Sequence, residues 1–347
     1  MRHFIYKYRK AAMDKEMAEK RLSDLGEEGI IRLLKSAVPS RFVGLDTAFF
    51  KIGKGLENDG IAVTVDMLQE KTDFPKGMPY EAMGWKTVSA CLSDLATTSA
   101  RPVAVMLSIA CPDIPVSDFR KIIKGAVSAC GKSGCEYCRG DMNRDDSGIT
   151  LSGTAIGTSR KHTSRRGAKI GDLIAVTNAS RFGMARAGLL SFQEKKKFKA
   201  GRDARDAFLH PIPRIREGLA LDGFMNSCID SSDGLAASVV QLCAESRVGA
   251  RIDETLLRKD RDVVRAAEHL GIDSTEFQLS GGEEFELVLT MSDESWNARD
   301  WKKIAGLSVI GLVVKKNEGL KLIKSADGRT QKLSWTGWKK FSQSASP

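Results

Sequence analysis

Six aspartates stand where a chain could offer them to a ligand. They are Asp46 in Val-Gly-Leu-Asp, Asp66 in Thr-Val-Asp-Met, Asp94 in Leu-Ser-Asp-Leu-Ala and Asp141 in Arg-Gly-Asp-Met, then Asp230 and Asp233 in Ile-Asp-Ser-Ser-Asp-Gly. Carboxylates at the ends of elements are what a hard cation such as Mg²⁺ takes, usually together with several waters. Drawn from distant segments, they would form a Mg²⁺-dense pocket for a polyphosphate. Taken singly, each reads at least as well as a turn or cap residue, and Asp230 and Asp233 could cap the helix that follows them. Asp94 differs. It lies inside an apolar helical pattern, away from a cap, where aspartate is unfavourable. A buried carboxylate there needs a metal or a cationic partner.

A second candidate is Ser280-Gly281-Gly282-Glu283-Glu284-Phe285-Glu286, a glycine pair before three acids. It reads either as a turn entering a strand or as a loop whose backbone closely approaches a ligand. Other chemistries are excluded by absence. No two of the four histidines (His3, His162, His210, His269) lie within five residues of each other, so there is no His-x-x-x-His zinc site. Neither G-x-x-x-x-G-K-[ST] nor G-x-G-x-x-G occurs, which excludes a P-loop or a protein-kinase-type glycine loop. Cys130, Cys135 and Cys138 give C-x4-C-x2-C, an invitation to a zinc or iron–sulfur reading. A nearby fourth ligand is missing, and the plainer reading is buried thiols on a strand and its approach.

The elements that must position these residues follow from periodicity. Glu27–Ala37 reads as a helix behind an Asp24-x-x-Glu27 capping box. Ile61–Leu68 alternates as a strand ending near Asp66. Tyr80–Ser99 is a long helix rich in small residues, stopped by Arg101-Pro102, and Val103–Ala110 is a buried strand. Ser117–Cys130 is an amphipathic helix, Glu136–Gly140 a short strand leading into Asp141, and Ile149–Gly157 another strand. The second half offers a strand at Leu173–Thr177 and helices at Phe182–Leu190, Pro213–Leu221 and Ser232–Glu245. Strands at Phe285–Leu289 and Leu307–Val313 complete it. The order predicts an α+β chain (mixed α/β) of two α/β domains, residues 25–160 and 161–347, with residues 1–24 an extension outside the fold.

The chain has 347 residues, 42% hydrophobic and 28% charged, as a soluble globular protein has. Its longest apolar stretch, Val103–Cys111, is too short to cross a membrane. Seven cysteines without a secretory signal read as reduced thiols in a cytoplasmic protein. The net charge of +10 points to a polyanionic partner. It is unevenly placed: residues 158–206 carry +9 (13 basic, 4 acidic) and residues 207–300 carry −9 (9 basic, 18 acidic). A nucleic-acid binder would show a stacking platform or a reading helix beside the charge, and none is evident, so nucleic acid is not expected as the partner.

In this order the motifs resemble the thiamine-monophosphate kinase family, which belongs to the aminoimidazole ribonucleotide synthetase-like superfamily. The resemblance rests on Gly84-Trp85-Lys86, Leu92-Ser93-Asp94-Leu95-Ala96, Arg165-x-Gly167-Ala168, Gly171-Asp172 and Pro211-x-Pro213-Arg214. It also rests on Ile229-Asp230-x-Ser232-Asp233-Gly234-Leu235, Leu279–Leu287 and Trp335-Thr336-Gly337-Trp338. It covers residues 25–342 and implies transfer of the γ-phosphoryl group of ATP to thiamine monophosphate, with several Mg²⁺ ions. It implies a homodimer whose first domains pair their sheets, and a second domain that is an α/β sandwich. By motif, Asp46, Thr64, Asp66, Asp94, Asp141, Asp230 and Asp233 match metal ligands. Gly140, Asp141, Arg165 and Ser232 match ATP contacts, and Glu283 and Trp338 match contacts to the acceptor. Asp94, Arg165 and Asp233 are the expected catalytic residues. Asp73 stands where the family has a substrate-contacting histidine, Leu45 where it has an acid, and Val65 where it has a threonine. A diverged relative acting on another phosphorylated acceptor is the alternative these departures suggest.

Overall fold

The structure, a computed structural model, describes residues 22–38, 40, 42–51, 60–194, 196–324 and 328–334. Helix α1 (Leu22–Ala37) starts three residues before the fold was expected to begin, and belongs to a unit separate from the chain after Gly44. It is amphipathic, with Ile30, Ile31 and Leu33 half-buried and Arg32 and Lys35 exposed.

Five strands make the first sheet: β1 (Ala48–Lys51), β2 (Gly60–Gln69), β3 (Arg101–Cys111), β4 (Glu136–Arg144) and β5 (Thr150–Ser159), in the order β1-β2-β5-β3-β4. Pairing is antiparallel except between β3 and β4. That parallel pair needs a crossover, which helix α3 supplies. Helices α2 (Tyr80–Thr97) and α3 (Val116–Ser133) carry the sheet's covering layer. Along β2 the alternation is plain: Ala62, Thr64 and Leu68 are buried, whereas Val65 and Met67 on the opposite face are 64% and 58% exposed. They leave apolar side chains on the outer surface of this sheet.

Strand β4 is longer than predicted. The expected strand stops at Gly140, but parallel pairing with β3 carries the polar residues after it in register through Ser108↔Asp141 to Cys111↔Arg144. Asp141 is therefore inside an exposed edge strand, not at the end of one.

The second sheet has seven strands: β6 (Leu173–Thr177), β7 (Ser227–Asp230), β8 (Gly249–Asp253), β9 (Leu287–Met291), β10 (Leu307–Val314), β11 (Leu320–Ile323) and β12 (Thr330–Lys332). Their order is β12-β11-β8-β10-β6-β9-β7. Its helices include α4 (Met184–Gln193), α5 (Arg202–Leu209), α6 (Ile215–Ala220), α7 (Leu235–Ser246), α8 (Arg261–Leu270) and α9 (Ser274–Leu279). One core joins the sheet to α7 through Ile174, Val176, Ile229, Val239, Leu242 and Val288. A second, through Met184, Ala187, Ala204, Val263 and Phe277, binds α4, α5, α8 and α9 together. The charged segment Glu194–Asp206 runs into α5, whose Ala204, Ala207 and Phe208 are buried. No helix among the described residues is long and apolar enough to cross a membrane.

Helix α2 lies at the centre of the arrangement, and 14 of its 18 residues are buried. Gly84 and Gly125 let it touch α3: a methyl at Gly84 would lie 2.0 Å from the Ile122 carbonyl oxygen, and one at Gly125 would lie 1.8 Å from that of Glu81. Toward the second sheet, the Trp85 indole and the Ser89 hydroxyl both donate to the Pro211 carbonyl, at 2.8 and 2.9 Å.

Candidate functional site

Three carboxylates meet where the two sheets face α2. Asp46 precedes β1, Asp94 lies in the last turn of α2, and Asp230 ends β7. One oxygen from each lies within 4.8 Å of the others. Among the described residues this is the one such gathering of acidic, histidine or cysteine ligands, and Cys130, Cys135 and Cys138 do not form another. Asp94 sits where α2's terminal carbonyls already disfavour an anion.

The neighbours are mostly hydroxyls. Thr64, on β2, donates to Asp94 at 2.5 Å, and Ser93 donates to Asp230 at 2.6 Å. Asp66 lies two residues beyond Thr64 on the same face of β2, and its charge reaches Asp94 and Asp230. Arg165 is the nearby cation. Its Nε and Nη2 grip Asp46 at 3.0 and 2.5 Å, and its Nη1 donates to Gln241 at 2.6 Å. Gln241 in turn faces Asp233 at 3.5 Å, long for a hydrogen bond. Three guanidinium N–H groups are thus engaged and two remain for an anionic ligand.

The electrostatics follow from this crowding. Burial, then the charges of Asp66, Asp230 and Asp46, push Asp94 well above the usual carboxylate range, with Thr64 pulling the other way. Asp230 is pushed up to about 7 by burial and then by Asp46, against the hydrogen bond from Ser93 and the charge of Arg165. Burial works against the charge of Arg165, but Asp46, Asp94 and Asp230 outweigh it and its pKa rises. The cluster has more negative charge than one guanidinium balances. Its donors are all oxygens, so a hard divalent cation fits it.

Asp230 and Asp233 do not cap α7. That helix begins at Leu235 behind Gly234 (φ 102°), with no side-chain cap. Only glycine fits there, because a methyl would lie 1.8 Å from the Gly281 carbonyl oxygen. The two loops are laced together: Glu283 N–H donates to Ser232 C=O at 2.8 Å, and Phe285 N–H to Ser231 C=O at 3.2 Å. Ser232 itself is exposed. Glu283 (φ 64°) and Phe285 (φ 51°) both take the left-handed conformation, held by this lacing.

Several residues carry more than the sequence revealed. Lys86 is wholly buried in α2, pairs with Glu283 at 2.6 Å, donates to the Asp73 carbonyl at 3.1 Å and lies over the Phe208 ring. Its motif was visible, but its partner was not. Glu284, pushed up to about 8 by burial, accepts from the Gly183 N–H at 2.8 Å. Glu286 is buried against Arg214 at 2.6 Å and accepts from Thr177 at 2.6 Å, an anchor for β9. Of the remaining expected residues, Asp73 turns its carboxylate into its own turn, accepting from Gln69 N–H and Thr72. Gly140 and Asp141 lie on the exposed edge strand β4, apart from the carboxylate trio. Trp338 lies outside the described residues.

Residues 44–159 match the N-terminal domain of AIR synthase related proteins, and residues 169–322 match the C-terminal domain. A thiamine-monophosphate kinase of Halobacterium salinarum is 33% identical over 261 residues, 75% of this chain and 86% of its own. One from Aquifex aeolicus is 30% identical over 324 residues, 92% of this chain and 100% of its own. Among solved structures, AaThiL complexed with AMPPCP and TMP superposes with a TM-score of 0.82 at 29% identity, covering 92% of this chain and 99% of that one. The hydrogenase maturation protein HypE in complex with ATP shares the fold at a TM-score of 0.67 and 18% identity, covering 93% of this chain and 99% of that one.

Proposed function

The chain belongs to the thiamine-monophosphate kinases, within the AIR synthase related family, and from that premise we propose that it transfers the γ-phosphoryl group of ATP to thiamine monophosphate, forming thiamine diphosphate. The observation that carries the reading is the trio Asp46, Asp94 and Asp230, gathered together with Arg165 as the guanidinium partner of Asp46. The acceptor oxygen belongs to a phosphate and is already anionic at neutral pH, so the reaction needs no general base. The obstacle is repulsion between two anions. Bound Mg²⁺ would supply charge screening and a template for the phosphate oxygens.

The residues of this chain take the remaining tasks. Asp46, Thr64, Asp66, Asp94, Asp141, Asp230 and Asp233 are the proposed cation set, with Thr64 and Ser93 orienting Asp94 and Asp230 through their hydroxyls. Arg165 holds Asp46 and keeps two N–H groups for phosphate oxygens aligned in line with the acceptor. Gly140, Asp141 and Ser232 complete the nucleotide contacts. Glu283, held by Lys86, and Trp338 receive the cationic thiamine moiety. The described histidines serve elsewhere: His162 meets Thr47 and Phe49, His210 meets Trp85, and His269 meets Glu194. That distribution suits chemistry without a base.

We further propose two domains, 25–160 and 161–347, and a homodimer made through the outer face of the first sheet. Its exposed Val65 and Met67 support that arrangement. The seven free cysteines suit a cytoplasmic protein. Incubation with ATP, Mg²⁺ and thiamine monophosphate, followed by chromatography, should yield thiamine diphosphate; none from a folded sample would overturn the reading. A second reading is favoured by Asp73, which stands at an acceptor position yet spends its carboxylate on its own turn. It keeps the chemistry and changes the acceptor. A panel of phosphorylated metabolites in the same assay separates the two.

A further inference from the structure

Where α3 ends, Gly134 (φ 73°) turns the chain left-handed and two hydrogen bonds close the turn. Cys135 N–H donates to Cys130 C=O at 3.1 Å, and Gly134 N–H donates to Gly131 C=O at 3.3 Å. This is the Schellman pattern, in which the residue after the glycine lays its side chain against the residue five positions before it. Such a contact is ordinarily apolar, but here both residues are cysteines. The Cys135 thiol also donates to the Cys130 carbonyl at 3.6 Å. Each thiol also acts on the other: Cys135 pushes the pKa of Cys130 up, and Cys130 draws that of Cys135 down. Exposure differs in the same sense: Cys130 is 1% exposed, whereas Cys135 is half-buried and within reach of solvent. The pair lies at the root of β4 and takes no part in the carboxylate site.

We propose that Cys130 and Cys135 are a reversible thiol–disulfide pair, oxidised by exchange with a small external disulfide such as glutathione disulfide. Cys135 enters first because solvent reaches its sulfur. Its thiolate attacks one sulfur of glutathione disulfide; a Cys135–glutathione S–S bond forms and one glutathione thiolate leaves. Cys130 then gives its proton to solvent and attacks the Cys135 sulfur, expelling the second glutathione. The two protein thiols lose two electrons and two protons, and one glutathione disulfide becomes two thiols. The ring closed by this bond is short, so it removes little chain entropy from the unfolded state. Such a bond is suited to switching and not to stapling the fold.

The test uses the full chain, reduced and then equilibrated in buffers of graded glutathione to glutathione-disulfide ratio. The remaining thiols are trapped by alkylation and the peptides mapped by mass spectrometry. The expected result is a Cys130–Cys135 cross-link that grows with the oxidised fraction and is reversed by dithiothreitol. Cys130→Ala should instead trap glutathione on Cys135, Cys135→Ser should leave Cys130 unmodified, and Cys138→Ser should keep the cross-link. The proposal is overturned if Cys130 and Cys135 both remain alkylated at the most oxidising ratio. It is equally overturned if the cross-link joins Cys138 in place of Cys135.

Discussion

Replacing Asp230 by asparagine should stabilise the cation-free protein while removing most of its response to Mg²⁺. Asparagine keeps the shape and can still accept from the Ser93 hydroxyl, so what is removed is the charge. The ordinary value of 3.8 rises to about 7 in the folded chain. A carboxyl raised in this way binds its proton more tightly folded than unfolded. Its contribution to stability is therefore complete below 3.8 and is lost as pH climbs through about 7. The rise is worth on the order of 4 kcal/mol at most above pH 7, of which about a third is already spent at pH 5. The charges of Asp46 and Asp66 raise Asp230 and those nearby share its relief, so the measured effect should be about half that ceiling. The assay is urea unfolding of chelator-treated protein at pH 8 and at pH 5, with and without added Mg²⁺. Asp230→Asn should gain about 2 kcal/mol at pH 8, gain distinctly less at pH 5, and lose most of the stabilisation that Mg²⁺ gives the unaltered chain. A variant equally destabilised at both pH values would refute the reasoning, because the carboxylate would then be a structural partner and not a strained charge.

Three other outcomes follow from contacts described above. Lys86→Met deprives Glu283 of its ion pair; steady-state kinetics should show the KM for thiamine monophosphate rising about tenfold, with the KM for ATP little changed. Gly84→Ala forces α2 and α3 apart, since the new methyl meets a backbone oxygen, and denaturant unfolding should record a loss of about 2–3 kcal/mol. Val65→Asp places a charge on the exposed face of the first sheet, and sedimentation velocity should show a dimer reduced to monomers while circular dichroism stays unchanged.

The acidic residues were legible because a carboxylate inside an apolar pattern is costly wherever it is placed. Asp94 announced the need for a cation on that ground alone, and the structure supplies crowding by Asp46 and Asp230 as the physical counterpart. The cap reading of Asp230 failed for a local reason: Gly234 turns the chain before α7 starts, so the aspartate belongs to the strand and not to the helix. Asp141 was misplaced for the opposite reason. A run of polar residues suggested that the strand had ended, but hydrogen bonding to β3 carries it on whatever its side chains are. Glu284 and Glu286 were seen only as acids after a turn. Their partners Gly183, Thr177 and Arg214 are far away in sequence, and no spacing rule joins them.

Helix α2 shows why part of the site had to wait for the fold. Periodicity assigns a buried face when the other faces are wet, but α2 is enclosed on every side. Trp85, Ser89, Ser93 and Ala96 follow one another at helical spacing and meet Pro211, Asp230 and Gly218 of the second half. Thr87, Cys91 and Leu95 line the face that Gly153 and Gly157 of β5 approach, and Gly84 meets α3. With three partners, no stripe of the helix is left polar, so the sequence could not show which residues looked toward a ligand. The enclosure also makes the helix a rigid spacer. Lys86, which holds Glu283, stands eight residues from Asp94, about 12 Å along the axis. One packed element therefore fixes the separation between the proposed acceptor contact and the proposed cation cluster. For that reason a disturbance of its packing at Gly84 should reach activity as well as stability.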